Sequence, residues 1–438
     1  MKKQKNNITK KLHYLETNTF PFKKGVNYKL IKYTPGSDYS YTRYREGEHI
    51  IHFITESIPD VLCDLTICDG CANIGSNSIL FGLHVKKVIS VEIDANNCVA
   101  LQHNVSLYKL NNISIYKKHI KTMLNHKFDL LFLSIPIRRN YKEFFMEQYD
   151  LTIDGISLSD IVEESVQFGV KYIVCKIPFN YDIRKLKFSG MKMIAKRIFK
   201  FIILILSKED LNHLHDELSN ILNYQQLSFV NEFGERLNNI KMEFEEQKLA
   251  LKYIKPDDCV LELGARYGSV SCVTNMLLSN KRNQVSIEPD KTILKALKEN
   301  KKRNKCKFKV MEGVLSNDPL CLIKRENSQW NGYDAFTMKC KEVDDTFSKS
   351  EVKKVKTYSL MDLNQKYNFN VLIADCEGCL PSFYKENPEF FYQLRMIIFE
   401  KDYINKYRED YIEFEKELSL LGFIHEINGL QNVFIKLL

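Results

Sequence analysis

Apolar positions along the chain fall into short unbroken runs, separated by segments where they recur every three or four residues. That alternation predicts strands and helices taking turns. The clearest stretch is 64–94. An apolar run ends at Asp69, the chain turns through Gly70 and Gly75, Ile79, Leu80 and Leu83 give a helical spacing, and a second run, 88–91, ends in Glu92. The same layout recurs over 259–290, with Glu262, Gly264, Gly268 and Glu288 in corresponding places. Strand, glycine turn, helix, strand and terminal acid make the first half of a nucleotide-binding βαβ unit. Glycines let the backbone pass close to a ligand, and an acid ending the second strand can take both hydroxyls of a ribose.

The rest of the chain continues the alternation. Helices are expected at 49–58, 95–108 and 157–168, and strands at 62–68, 113–116, 128–133, 172–175 and 199–206; the strand at 128–133 runs into Ser134-Ile135-Pro136. Residues 208–250 are acidic and amphipathic without a strand signal, and read as one or two connecting helices. Beyond them come strands at 259–263, 284–288 and 306–310, with helices at 269–279 and 291–300. After a looser stretch, a strand at 371–374 delivers Asp375 and Glu377, and another at 396–399 ends at Glu400. The expectation is an α/β protein of two tandem Rossmann-like domains, 1–207 and 251–438, with doubly wound, largely parallel sheets.

Composition narrows this little but usefully. A chain of 438 residues is too long for one core. No apolar run approaches the ~20 residues of a membrane span. The lysine-containing N-terminus lacks an apolar segment after it, so a cytoplasmic protein without membrane contact is expected. The twelve cysteines are scattered, and Cys68/Cys71 is read as the only CxxC. Its inner residues belong to the glycine turn, so the cysteines are read as reduced thiols rather than metal ligands. His103, His119, His126 and the other histidines form no spaced cluster, and no metal is expected. The first 32 residues hold nine lysines and one acid, Glu16. That is either an arm attracted to the phosphates of RNA or a solvated tail.

The turns also point to a cofactor. A dinucleotide needs GxGxxG to bring amides to its pyrophosphate, and neither DGCANIG nor ELGARYG has that spacing. An acid just before the turn suits a cofactor with an ammonium group and no phosphate, which favours S-adenosylmethionine. The candidate cofactor residues are Asp69, Gly70, Gly75 and Glu92 in the first half, and Glu262, Gly264, Gly268 and Glu288 in the second.

The segment 69–82, DGCANIGSNSILFG, together with Val91-Glu92-Ile93-Asp94 and His103-Asn104 with Tyr108, resembles the trimethylguanosine synthase family, which methylates N2 of an RNA cap guanine. Glu46-Gly47-Glu48 stands for that family's TPE segment, and 176–180 for its PRN-like one. The resemblance implies that Asp69, Glu92 and the turn around Gly75 hold the cofactor, and that catalysis belongs to 132–139. There Ser134 and Pro136 are kept, while Ile135 and Ile137 replace a proline and a stacking tryptophan. An isoleucine offers no π-face, a loss of ~1–3 kcal/mol per stacked base. Arg138 and Arg139 remain as possible phosphate contacts. The first half therefore reads as a relative with an eroded catalytic turn.

Residues 245–438 resemble the FkbM methyltransferases, usually O-methyltransferases of small molecules or sugars, through 262–268, Glu288-Pro289, 357–363, 374–380 and 398–400. Arg266 stands where that family has Asn, and Leu380 where it has a second acid. Independently, Asp375 and Glu377 lie at the carboxyl end of a buried strand, where open α/β sheets bind ligands. A carboxylate there can take the proton of a hydroxyl whose oxygen attacks a methyl group. Glu400 can share that duty or hold a cation. The reading is a methyltransferase acting through its second half, with a small-molecule or sugar acceptor. Its rivals are cap methylation by the first half and a non-catalytic RNA-binding scaffold. A chain rich in Lys, Asn and Ile with this fusion fits a large DNA virus, acting in the host cytoplasm, or an AT-rich protist.

Overall fold

The computed structural model describes residues 19–35, 37, 42–135, 151–186, 188, 190–198, 201–238, 242–325, 335–347, 350–401, 408–427 and 429–436. The chain divides into two compact units, 1–225 and 226–438.

In the first unit, strands β1 (Thr66–Asp69), β2 (Lys87–Glu92), β3 (Ile113–Lys117), β4 (Leu130–Ser134), β5 (Tyr172–Pro178), β6 (Lys192–Ile198) and β7 (Phe201–Ser207) form one sheet. Its order is β3-β2-β1-β4-β5-β7-β6. The first five run parallel, and β7 pairs antiparallel with both β5 and β6. Every residue of β4 and β5 is buried, as a strand covered on both faces requires. Among the described residues the unit also contains helices α1 (Tyr44–Ser57), α2 (Ser76–Gly82), α3 (Ala95–Leu107), α4 (Leu158–Gln167) and α5 (Leu218–Gln225). Helix α1 turns Ile50, Phe53 and Ile54 onto the sheet beside Phe81, Phe132 and Ile205. Each such side chain contributes about 1.5–3 kcal/mol.

The second unit opens with helix α6 (Phe244–Tyr253), preceded by a short hairpin at 229–237. Its sheet comprises β8 (Val260–Leu263), β9 (Gln284–Glu288), β10 (Lys309–Glu312), β14 (Val371–Ala374), β15 (Met396–Glu400), β16 (Phe423–Ile427) and β17 (Gln431–Lys436). The order, β10-β9-β8-β14-β15-β17-β16, repeats that of the first unit, again with an antiparallel pair at one edge. A separate antiparallel sheet of β11 (Leu320–Arg325), β12 (Phe336–Lys339) and β13 (Ser350–Lys354) is inserted between β10 and β14. Helices α7 (Ser269–Leu277), α8 (Leu294–Arg303), α9 (Leu360–Tyr367) and α10 (Leu380–Glu386) flank the main sheet. Both units thus have the expected Rossmann-like, doubly wound, largely parallel architecture.

Several local expectations differ. The stretch 208–250 is shared between the units, and it holds a hairpin as well as α5 and most of α6. Strands β6, β16 and β17 and the inserted sheet carry no clear sequence signal. They are edge or half-exposed strands, and β13 (SEVKK) exposes four of its five residues. The cysteines are not all free thiols: Cys321 is bonded to Cys340 and Cys376 to Cys379, leaving eight free. The second pair is itself a CxxC, Cys376-Glu377-Gly378-Cys379, overlooked because it coincides with the strand-end acids.

Candidate functional site

The two glycine turns are built alike. Asp69, at the end of β1, is fully buried, and its Oδ2 accepts a 2.6 Å hydrogen bond from Ser78 Oγ, which in turn accepts one of 2.8 Å from Ser90 Oγ. Glu262, at the same place on β8, accepts from Ser271 Oγ and Ser286 Oγ. Burial pushes both carboxyls up to about 7. These acids fasten strand to helix beneath the turn, and Glu262 does not line the unit's large cavity. The first acid of each turn therefore has serine partners on one oxygen, while Oδ1 of Asp69 is buried without a hydrogen-bond partner among the described residues.

The second acid behaves differently. Glu92 Oε2 accepts from Asn73 N at 2.7 Å and its Oε1 from Asp94 N at 2.9 Å. Glu288 Oε2 accepts from Arg266 N at 2.8 Å and its Oε1 from Asp290 N at 2.7 Å. One backbone amide per oxygen fixes each carboxylate and leaves lone pairs on both oxygens for further donors. Burial raises Glu288 to about 7 and moves Glu92 in the same direction. One amide donor to each acid comes from a left-handed residue, Asn73 at φ +49° and Arg266 at φ +41°. Asparagine tolerates that conformation, whereas arginine carries a cost of ~1–2 kcal/mol there.

Glycine is required at one point above all. A Cβ on Gly264, whose φ is +84°, would lie 1.7 Å from the carbonyl oxygen of Asp375, so β8 and β14 approach too closely for any side chain. Gly75 and Gly268 cap α2 and α7 in left-handed conformations, and a Cβ there would meet Leu101 and Leu297. Gly70 packs a bare Cα against Leu133 and Ile120.

Each turn is held from outside by an asparagine. Asn104 Nδ2 donates to Ile74 O and Lys32 O, and its Oδ1 accepts from Lys32 N. Asn300 Nδ2 donates to Tyr267 O and Val230 O, and its Oδ1 accepts from Val230 N. Residues 19–35, the described part of the basic arm, are thereby docked on α3. Tyr108 Oη donates to Pro21 O at 2.6 Å, and His103 bonds Leu30 O. The motif residues His103, Asn104 and Tyr108 all serve this docking.

Sheet register equates the remaining candidates. Asp69 pairs with Phe132 and Glu262 with Ile373, so Ser134 and Asp375 occupy the same place, as do Lys176 and Glu400. Ser134 is buried at the end of β4; Pro136, Arg138 and Arg139 lie outside the described residues. Lys176 Nζ reaches Glu46 Oε2 at 3.3 Å and Thr42 Oγ1 at 3.0 Å and sits over the Phe201 ring. The segments 46–48 and 176–180, far apart in sequence, thus meet at one strand end.

In the second unit that strand end is acidic. A cavity of about 310 Å³ opens over it, bounded by Gly264, Arg266, Glu288, Asp290, Asp375 and Glu377 on the sheet side and by β11 and β12 on the other. Glu377 adopts φ +52° and Gly378 φ +89°, turning the chain sharply after β14. Glu400 is not part of this wall. Its Oε2 accepts from Gln431 Nε2 at 2.6 Å, and it converges with Asp375 and Glu246 of α6, carboxylate oxygens lying within 4.8 Å of one another. Burial and the neighbouring Glu400 push Glu246 up to about 9. Sequence reasoning missed Glu246, which it assigned to a connector; the acids in FEEQ at the start of an apolar helix face were the available signal. Such a carboxylate group could hold a cation, the alternative role given to Glu400 from the sequence; its partners Asp375 and Glu246 were not foreseen there.

Comparison with known proteins bears mainly on the first unit and reaches through α6 of the second. Residues 64–254, just under half of the chain, match the sequence model of the RNA cap guanine-N2 methyltransferase family. An uncharacterized protein of Acanthamoeba polyphaga mimivirus is 27% identical over 124 residues, 27% of this chain and 48% of that protein, so the match spans about half of the relative's length. Among solved structures, a methyltransferase from Geobacter sulfurreducens aligns with a TM-score of 0.26 at 10% identity, over 37% of this chain and 78% of its own. A Streptococcus mutans protein in complex with SAH aligns with a TM-score of 0.27 at 9% identity, over 36% and 96%. Scores this low carry no argument about the site. The stretch that contains Asp69, Glu92, Asn104, Ser134 and Lys176 is similar to the RNA cap guanine-N2 methyltransferases.

Proposed function

We propose that the protein is an S-adenosylmethionine-dependent methyltransferase whose transfer site lies in the second unit. The observation that carries this is the 310 Å³ cavity that gathers Glu288, Asp375 and Glu377 into one space at the strand ends. Its wall is rich in carboxylates, with Asp290, Glu342 and Glu386 as further acids against the cations Arg266 and Lys339. That balance suits a ligand bearing ammonium and sulfonium charges. When bound, S-adenosylmethionine supplies an electrophilic methyl group. Glu288, fixed by two amides, would accept the ribose hydroxyls. Gly264 keeps the turn bare beside Asp375, and Asp375 or Glu377 would take the proton from the attacking oxygen of a small-molecule or sugar hydroxyl. Glu400 would act through its contact with Asp375.

A second reading is favoured by the family match over 64–254: guanine-N2 methylation of capped RNA by the first unit. There Glu92 would take the ribose, Ser134 and Pro136 would present the acceptor amine, and the lysines of the arm would bind phosphates. A viral source acting in the host cytoplasm fits both the composition and the mimivirus relative. Among the described residues no helix is long and apolar enough to cross a membrane.

Calorimetric titration of S-adenosylmethionine into the full chain, with Glu92→Ala and Glu288→Ala alongside, separates these. Binding lost only in Glu288→Ala supports the second unit as the enzyme. Loss only in Glu92→Ala moves the reaction to the first unit and to capped RNA. Absence of binding in the wild type, with salt-sensitive RNA binding retained, leaves a scaffold and refutes both.

A further inference from the structure

The wall of the large cavity contains the CxxC. Cys376 and Cys379 are bonded to each other three positions apart, both are half-buried, and both line the cavity. Between them lie only Glu377 and Gly378, the two successive left-handed residues. Gly378 takes that conformation without steric cost, whereas Glu377 must be held in it. A bond between Cys376 and Cys379 closes the turn around Glu377 and so constrains it. The other disulfide, Cys321–Cys340, spans 19 positions and ties β11 to the residue after β12, across the sheet that covers the cavity from the opposite side. Cys321 is buried in a small core with Ile323 and Phe336. Of the four bonded cysteines, Cys376 and Cys379 border the cavity itself, while Cys321 and Cys340 lie in the covering sheet next to residues that line it, and the CxxC bond is the one half-exposed at both ends.

We propose that Cys376–Cys379 is a thiol–disulfide exchange site that sets the shape of the cavity wall. Its reaction partner is a dithiol. One thiolate of the dithiol attacks a sulfur of the pair and forms a mixed disulfide; the other protein sulfur leaves as a thiolate and takes a proton. The second thiolate of the dithiol then displaces the first protein sulfur, which is protonated in turn. Two electrons pass to the protein, which gains two S–H groups, and the dithiol becomes a disulfide. Closed, the bond holds Glu377 in its left-handed turn at the cavity. Opened, the loop 376–379 loses its covalent cross-link, and the left-handed turn at Glu377 is no longer closed by it. The exchange stands on its own geometry; its consequence for binding rests on the cofactor reading above.

The test uses the full oxidised chain in graded dithiothreitol, quenched by alkylation and read by peptide mass spectrometry, with S-adenosylmethionine titrated into the same samples. Cys376 and Cys379 are expected to become labelled at dithiothreitol concentrations about tenfold below those that open Cys321–Cys340. Selective opening should weaken the S-adenosylmethionine Kd about tenfold. The double variant Cys376→Ser/Cys379→Ser should reproduce the weaker Kd without reductant, and Cys321→Ser/Cys340→Ser should leave the CxxC exchange in place. Both disulfides opening together, or an unchanged Kd in the selectively opened protein, would overturn the proposal. Selective labelling without S-adenosylmethionine binding in either state supports the exchange site and refutes the cofactor reading.

Discussion

The substitution Gly264→Ala isolates the closest backbone approach in the second unit. A methyl group there would sit 1.7 Å from Asp375 O and 2.7 Å from Asp375 C, whereas real Cβ contacts stay beyond 3.0 Å. The Asp375 peptide must therefore retreat by more than an ångström, taking the end of β14 and the Asp375–Glu377 turn with it. Two costs add: the left-handed conformation at φ +84°, ~1–2 kcal/mol for a residue with a Cβ, and overpacking against fixed backbone, typically ~1–3 kcal/mol. A matched control separates them. Gly422 has φ +86° and nothing within 4 Å of an added Cβ, so Gly422→Ala carries the conformational cost alone. The expected losses are about 1 kcal/mol for Gly422→Ala and about 3–4 kcal/mol for Gly264→Ala. Two units in one chain need not unfold together, so the readout is native-state hydrogen exchange on peptides covering β8 and β14. S-adenosylmethionine titration should show a weakened site in Gly264→Ala and an unchanged one in Gly422→Ala. Equal losses in the two variants, or full affinity in Gly264→Ala, would refute the claim that this glycine brings the turn against Asp375.

Three further outcomes follow from buried polar groups. Glu262 titrates near 7 in the folded chain and near the ordinary 4–4.5 when unfolded. Its contribution to stability is complete below pH ~4 and is lost as pH rises to about 7. Denaturation at pH 5 and 8 should therefore show Glu262→Gln with a flatter pH dependence than wild type, by on the order of 3 kcal/mol at most; parallel profiles would refute the raised value. Asn300→Ala removes three hydrogen bonds of 2.8–2.9 Å to Val230 and Tyr267. It should cost about 3 kcal/mol, with hydrogen exchange accelerating in the 229–237 hairpin, and exchange confined to α8 would argue otherwise. Lys176→Met strands Glu46 in a buried setting and should cost about 3–5 kcal/mol, largely recovered in Lys176→Met/Glu46→Gln; a double variant no better than the single one would show that the pair is not coupled.

What the sequence disclosed is the part governed by local periodicity and by glycine. The βαβ layout, the terminal acids Glu92 and Glu288 and the turns at Gly75 and Gly268 all stand where the pattern puts them. The direction of a buried side chain is not a local property, and the serine partners of the first acids were not read from the sequence. Asp69 and Glu262 resemble ligand acids by position, yet both turn inward to serines. The signal was present, since a serine nine residues on and another on the next strand recur in both halves as Ser78 with Ser90 and Ser271 with Ser286. Strands at the sheet edge escaped for another reason. In KMIAKRI of β6, charged residues alternate imperfectly because solvent reaches part of one face. Long-range pairs such as Lys176 with Glu46 lie 130 positions apart and have no local trace.

The equivalence of the two units bears on why their chemistry differs. Register places Lys176 where the second unit has Glu400, and Ser134 where it has Asp375. In the first unit the strand end is internally neutralised, since one ammonium meets Glu46 and an aromatic face. The second unit carries carboxylates at both places and adds Glu246, the three within 4.8 Å. Like charges that close cannot all ionise in a partly buried site without protons or a cation. The rise of Glu246 to about 9 is the proton form of that answer, with burial as the first cause. A strand end that already contains its own cation has little electrostatic reason to draw a cationic ligand. One that holds excess negative charge beside an open cavity gains by doing so. Among the described residues, the same fold, repeated in one chain, thus presents a paired strand end in one unit and an acidic one beside an open cavity in the other, which is the contrast that supports the proposal of methyl transfer in the second.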